Sequence, residues 1–346
     1  MHAFRSRLCF IQVGSEVDVF LFDTLIPEVS PQLLGPLFAN PAQTKFFHAA
    51  GGDLQFLVEA GVRVVGLFDT HRAATLLGWA KVGLADLARE RLGVELPKDH
   101  QQSDFSIRPL PPDMRSYIAD DVRYLTEIGR QVREECRKAD ILEEVELDCA
   151  RLADEATSRP EIGMEFRPKI ARNLPPAQIA LATSIANALH QRRLAWAEAL
   201  DVPYGRILSN AAIAAIAAHP PTTVQELAKV RGVHGRLARE HGGEVLALLQ
   251  DLAAKVRSGE IPVDDSPSLR PDRLLRKRDE ALRKFRSEKA AERKVTPSVV
   301  LGNPLVAELA KRAPLTLEEL SRVPYFGEKR LRLYGTPLIE LLARIE

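Results

Sequence analysis

Tyr117 and Asp121 stand four residues apart in the stretch Tyr117-Ile-Ala-Asp-Asp121-Val-Arg-Tyr124-Leu125. Apolar residues recur around them at helical intervals: Met114, Ile118, Val122, Leu125 and Ile128. Residues four apart share one helix face, so a phenol and a carboxylate project to the same side. A second acid, Asp53, follows the glycine turn in His48-Ala-Ala-Gly51-Gly52-Asp53-Leu54, where another helix opens. Carboxylates converging from separate elements are what hard divalent cations require. Each piece alone also has a plain structural reading. A Tyr/Asp pair on a helix is commonly an edge hydrogen bond, and Gly-Gly-Asp is commonly a capping turn. Their order and the segments between them must decide.

Those segments read as an α/β domain. Residues 8–13 and 17–22 form a strand pair around a Gly14-Ser15 turn. A helix follows near 31–38, then a strand at 44–48, a helix at 53–60 and a strand at 62–67. Helices at 70–80 and 84–92 come next. Pro111-Pro112-Asp113 opens a long helix to about residue 138, and another runs from 141 to 158. Strands first and βα alternation afterwards imply a mixed sheet flanked by helices. Between Gly93 and Pro112 lies a polar, proline-marked loop of a length that is often functional. Its Lys98 and Arg108 are placed to approach a phosphate, and its Phe105 to support the loop or stack on a base. For Arg108 the competing reading is an ion pair with a nearby acid.

The chain has 346 residues, 45% apolar and 27% charged, enough for two or three ordinary globular domains. Its net charge of +1 hides a basic stretch at 266–294, with eleven Lys/Arg against five Asp/Glu. Such a stretch suits nucleic acid through phosphate neutralisation, or is a solvated helix face with interleaved acids. Cys9, Cys136 and Cys149 show no metal-ligand spacing, which fits reduced thiols in the cytoplasm. No apolar run approaches a membrane span.

Beyond residue 176 the chain repeats itself at an offset of 93 residues without insertion, from Ile207/Val300 to Leu249/Leu342. Leu208/Leu301, Asn210/Asn303, Ile213/Val306, Pro221/Pro314, Val230/Val323 and Gly242/Gly335 match in type. Each unit is helical by its period, and a proline-rich linker at 259–271 joins them.

Taken in order, residues 8–137 resemble the exonuclease domain of ribonuclease D and its relatives, the DEDD-type 3′→5′ exonucleases of the tyrosine subtype. The resemblance rests on Leu8-Cys-Phe-Ile-Gln12, Lys45-Phe-Phe-His48 through Leu54, Phe68-Asp69-Thr70 and Val82-Gly-Leu-Ala-Asp-Leu87. Gly93-Val94, Ser103-Asp-Phe105, Arg108-Pro-Leu110 and the Tyr117–Leu125 stretch complete it. The repeated units resemble the helicase-and-RNase-D C-terminal (HRDC) domain through Asn210-Ala-x-Ile213 and Asn303-Pro-Leu-Val306. The implied fold is an α/β ribonuclease-H-like mixed sheet, missing its first strand, followed by two all-α modules. The implied boundaries are 1–140 for the exonuclease-like domain, 141–176 for a helix and linker, 177–258 and 276–346 for the modules, and 259–275 for the linker between them.

The resemblance further implies two Mg²⁺ or Mn²⁺ ions held by four carboxylates. Asp53 matches the third and Asp121 the fourth, while Tyr117 matches the tyrosine that orients the attacking water. Lys98, Phe105, Arg108, Gln12 and His48 are the implied nucleic-acid contacts. The first two carboxylates, an Asp-x-Glu about ten residues before the Leu8 strand, are not in this sequence. The expectation is therefore an N-terminally shortened chain, with Met1 an internal methionine, that is poorly stable and slow or inactive. The expected activity is 3′→5′ trimming of RNA with a single-stranded 3′ end, such as tRNA precursors, by a monomer without organic cofactor or membrane. Alternatives are a non-catalytic nucleic-acid-binding pseudo-nuclease and an exonuclease acting on DNA.

Overall fold

The structure, a computed structural model, describes residues 4, 7–97, 99–100, 103–158, 174–263 and 273–345. Lys98 and most of both expected linkers, 159–173 and 264–271, lie outside the described residues. The chain divides into two compact units, Leu8–Arg159 with Arg270–Glu346, and Met1–Arg7 with Pro160–Leu269.

In the first unit, β1 (Phe10–Gly14) and β2 (Val19–Asp23) are rich in aromatic and branched residues and pair antiparallel, Phe10 opposite Asp23 and Gly14 opposite Val19. The turn closes one residue later than its glycine suggests, because the Ser15 hydroxyl accepts from the amides of Val17 and Asp18. After α1 (Gly35–Ala39), β3 (Lys45–Phe47) pairs in parallel with β4 (Leu67–Asp69), joined through α2 (Gly51–Glu59). Among the described residues the expected mixed sheet thus exists as two separate two-stranded ladders. A cleft of about 1220 Å³ is lined by residues of β1 and β3 together, including Ile11, Val13, Phe46 and Phe47.

The helices α3 (Thr70–Leu76), α4 (Leu84–Leu92), α5 (Pro112–Arg123), α6 (Leu125–Lys138) and α7 (Leu142–Thr157) surround the ladders. Where one long helix was expected, α5 and α6 meet at Tyr124, whose φ and ψ are −101° and −5°. Their partners differ. Met114 and Ile118 on α5 form a small cluster with Phe10, Leu21 and Leu110. Ile128, Val132 and Cys136 on α6 enter the main core with Leu54, Phe68, Val145 and Cys149. Gly129 makes that second contact possible, since a Cβ there would lie 2.2 Å from the Phe46 ring.

The expected strand at 62–67 sits instead at β4. Val62 and Val64 are buried, but their segment turns back on α2 and α1 through Val62 N–H to Leu57 O and Val65 N–H to Phe38 O.

The first helical module comprises α8 (Pro176–Ala199), α9 (Tyr204–Ile207), α10 (Asn210–Ala218), α11 (Val224–Lys229) and α12 (Gly235–Ser258). The second comprises α13 (Arg273–Arg293), α14 (Pro297–Val300), α15 (Asn303–Arg312), α16 (Leu317–Ser321) and α17 (Glu328–Ala343). The repeat carries equivalent internal bonds. Arg193 donates to Leu208 O at 2.8 Å, and Arg286, 93 residues later, donates to Leu301 O at 3.3 Å. Cations of the basic stretch pair along α13, as Arg283 does with Asp279 and Lys289 with Glu292. These pairs fit the solvated-face reading, whereas Arg293 at the end of α13 enters a buried contact.

The second module packs on α7 of the exonuclease-like domain. Glu144, fully buried, receives Arg293 at 3.1 Å and Lys329 at 3.2 Å. Glu143 accepts the Lys329 amide at 3.0 Å, and Asp154 accepts the Tyr325 hydroxyl at 2.8 Å. Gly327 permits the contact, because a Cβ on it would stand 2.4 Å from Leu147.

Candidate active site

Asp69 organises the start of two helices, which explains where Asp53 stands. Its buried carboxylate accepts the amides of His71 (2.9 Å) and Arg72 (3.1 Å), capping α3. The same group accepts the amides of Ala49 (3.1 Å) and Ala50 (2.8 Å), just before α2. Asp53 lies in the first turn of α2, so its backbone is referred to Asp69. From behind, Cys149 Sγ on α7 accepts the Asp69 amide at 3.3 Å. Asp69 belongs to the Phe68-Asp69-Thr70 stretch that carries the family resemblance. An acid between a strand and a helix is a cap signal, whereas its reach to residues 49 and 50 is non-local.

Asp53 and Asp121 line the same cleft from different helices. Desolvation, followed by the charge of Asp69, raises the Asp53 carboxyl to about 6, although the residue as a whole is exposed. Asp121 is also raised to about 6, by burial first and then by Asp120 and Asp53. Among the described residues neither has an ion-pair partner.

Tyr117 is raised by burial and by Asp121. Its ring stacks on Phe105 at 6.3 Å, with His100 edge-on at 5.7 Å. The three residues expected to act together are therefore electrostatically linked in series, Asp53 to Asp121 to Tyr117.

The remaining candidates divide. Gln12 and His48 line the cleft. Burial lowers His48 to about 4, so its ring is neutral at physiological pH. Thr70 directs its hydroxyl proton to Phe47 O, so its oxygen accepts from His48 Nδ1–H at 2.9 Å, leaving Nε2 as an acceptor. Arg108 is engaged elsewhere. Its Nε and Nη2 each approach Asp23 at 2.6 Å, its Nη1 donates to Phe105 O and Ile107 O, and its face covers Phe10. The ion-pair reading describes it, and the pairing holds Asp23 below the usual carboxylate range.

Two uncompensated carboxylates fit a hard cation, since Mg²⁺ commonly takes one or two carboxylates and completes its shell with water and substrate phosphate. Among the described residues no group of three or more His, Cys, Asp or Glu is close enough to hold a metal.

A family model described as 3'-5' exonuclease matches residues 1–137, and the HRDC domain model matches 182–249 and 276–342. Ribonuclease D of Acidiphilium cryptum (strain JF-5) is 32% identical over 341 residues, covering 95% of this chain and 84% of that protein. Exosome complex component 10 of Mus musculus is 40% identical over 136 residues, 38% of this chain and 15% of that one. Among solved structures, Escherichia coli RNase D, an exoribonuclease involved in structured RNA processing, matches with a TM-score of 0.67 at 22% identity. That match covers 99% of this chain and 90% of the other. The fold is therefore an exonuclease domain of ribonuclease-H type followed by two HRDC modules.

Proposed function

Since the chain belongs to the ribonuclease D family, we propose that it is a 3′→5′ exoribonuclease trimming single-stranded 3′ ends of tRNA and other structured RNA precursors. The observation that carries this reading is the coupling of Asp53 and Asp121 across one cleft, with Tyr117 one helical turn away. Each acid makes the other's charge more costly, so a bound cation relieves both. When held by Asp53 and Asp121, Mg²⁺ or Mn²⁺ would supply an activated water and stabilise charge on the attacking and leaving oxygens.

Side chains supply the rest. Tyr117 keeps its proton at neutral pH, so its hydroxyl can both donate to and accept from a water in line with the scissile phosphate. Asp69 acts as a positioning residue by anchoring α2. His48 Nε2 and the Gln12 amide offer polar contacts to the terminal nucleotide, and Phe105 backs the Tyr117 ring. Cys9, Cys136 and Cys149, none of them in a disulfide, suit a cytoplasmic setting, and no helix among the described residues is long and apolar enough to cross a membrane.

The resemblance assigns two further carboxylates to an Asp-x-Glu that these 346 residues do not contain. Trimming by these residues alone is expected to be slow or absent. A 5′-labelled tRNA precursor tests the reading, with Mg²⁺, Mn²⁺ or EDTA, using this chain and one extended upstream by an Asp-x-Glu strand. A metal-dependent ladder of single-nucleotide steps should appear with the extended chain, vanish in Asp121→Ala and weaken strongly in Tyr117→Phe. Undiminished trimming by Asp121→Ala, or a ladder that persists in EDTA, refutes it.

A further inference from the structure

Every donor of Arg108 is used within the protein. Its Nε and Nη2 close on Asp23 Oδ2 and Oδ1 at 2.6 Å each, and Nη2 also reaches Cys9 O at 3.4 Å. Its Nη1 donates to Phe105 O at 2.8 Å and to Ile107 O at 2.7 Å. These five bonds match the five N–H groups of a guanidinium. The side chain is 29% exposed, and that of Asp23 is 18% exposed. The fork ties together three stretches of chain: the end of β2, the residue before β1 and the loop that enters α5.

The Tyr117 ring, by contrast, has nothing polar to aim it. Among the described residues its hydroxyl bonds to no other group. Its direction is therefore set by what touches the ring. Phe105 stacks on it at 6.3 Å with the planes 19° apart, and His100 meets it edge-on at 5.7 Å. Both neighbours come from the same loop. His100 is held there on its own account, with Nε2 3.3 Å from Asp113 and Nδ1 3.0 Å from Ser103. Phe105 and Tyr117 pack on the small cluster of Leu110, Met114 and Ile118, which is separate from the main core. Apolar contact is non-directional, so a cluster of this size leaves a ring free to tilt. Direction comes from bidentate, charge-assisted bonds. Arg108, fixed by its fork on Asp23, passes that direction to Phe105 through the carbonyl it holds.

We propose that Arg108 is a positioning residue for Tyr117: anchored on the hairpin by Asp23, it holds the backbone of Phe105 and so fixes the plane in which the phenol meets the attacking water. The proposal rests on the reading of Tyr117 as the water-orienting group, and it gives Arg108 no contact with RNA. A phosphate would reach this guanidinium only by displacing a bidentate carboxylate or a backbone carbonyl. Lysine separates the two roles, since it keeps the charge a phosphate needs and loses the fork.

The first readout needs no activity. In the 346-residue chain the NOE between the Phe105 and Tyr117 rings should weaken in Arg108→Lys and in Asp23→Asn. RNA affinity in EDTA, and its salt dependence, should stay as in the parent. In the chain extended by an Asp-x-Glu strand, Arg108→Lys should slow single-turnover trimming roughly 10–100-fold, the loss that follows when a reacting group is misplaced by about 1 Å. In a Tyr117→Phe background the same change should remove no further rate, because the hydroxyl it positions has gone. Asp23→Asn carries the same comparisons if Arg108→Lys does not fold. An unaltered NOE in both variants overturns the proposal, as does an equal rate loss with and without the Tyr117 hydroxyl. So does full rate in Arg108→Lys together with weaker RNA binding by Arg108→Gln, its salt slope lower by about 0.7, which would assign the guanidinium to a phosphate. If Tyr117→Phe alone trims at the parent rate, the reading of Tyr117 falls, and the NOE separately decides whether Arg108 fixes the ring.

Discussion

Asp121→Asn should make the protein more stable at neutral pH, and the size of the gain follows from the site. Asp121 titrates at about 6 in the folded chain against an ordinary 3.8. At 1.36 kcal/mol per unit, holding it ionised costs the fold about 3 kcal/mol. The sign follows from proton linkage. Between the two values the folded chain binds more protons than the unfolded one, so stability falls as pH rises from about 4 to 6 and is flat above. Asparagine keeps the shape without the charge, so the variant should gain about 1–3 kcal/mol at about pH 7.5, roughly half as much at about pH 5, and almost nothing below about pH 3.5. Tyr117 should titrate lower in the variant, because a neighbouring negative charge has gone.

Urea unfolding followed by Trp79 fluorescence in a Trp196→Phe background reads the exonuclease-like domain alone, since the chain has two tryptophans. Saturating Mg²⁺ offers a second readout, because a ligand at a hundred times its Kd stabilises by about 2.7 kcal/mol. That increment should appear in the parent and shrink in the variant. A variant that is less stable than the parent at about pH 7.5, or a gain that does not depend on pH, would refute the argument.

Asp69→Asn leaves a side-chain NH₂ facing an amide, at a cost of about 2–3 kcal/mol by urea titration, and Asp53 should titrate lower by NMR. Unaltered stability would contradict the anchoring role given to that acid. Glu144→Ala strands Lys329 and Arg293 without their buried partner and should cost about 3–5 kcal/mol; a loss below about 1 kcal/mol would mean the contact is solvated. Gly129→Ala should cost about 1–3 kcal/mol through collision with Phe46, and Phe46→Leu in the same chain should recover part of it. Calorimetry of the double variant checks this, since strict additivity of the two changes would point to another cause.

Local rules carried far into this molecule. The period and glycine stop at residues 84–93 define α4, which ends on a left-handed Gly93, and alternating aromatic and branched residues define the first hairpin. The pairing of Tyr117 with Asp121 is likewise a matter of helix spacing. What escaped depended on partners distant along the chain. Tyr124 breaks a continuous apolar period because the helices on either side of it bury against different clusters. Arg108 finds Asp23 at a separation of 85 residues, and no pattern near either residue announces the pair. Asp69 is legible as a cap, yet its two bonds toward α2 come from a fold that brings β4 beside the end of β3.

The Glu144 contact has a consequence for synthesis. Its cationic partners lie 149 and 185 residues further along the chain. At translation rates of about 5–20 residues per second, α7 emerges roughly 10–40 s before Lys329 does. Through that interval Glu144 faces water, and the helix behind the Asp69 anchor is hydrated on one side. Chains stopped at residue 269 should accordingly show faster amide exchange across residues 142–154 than the 346-residue chain does. The buried face of α7 is thus completed only when the second module has been made.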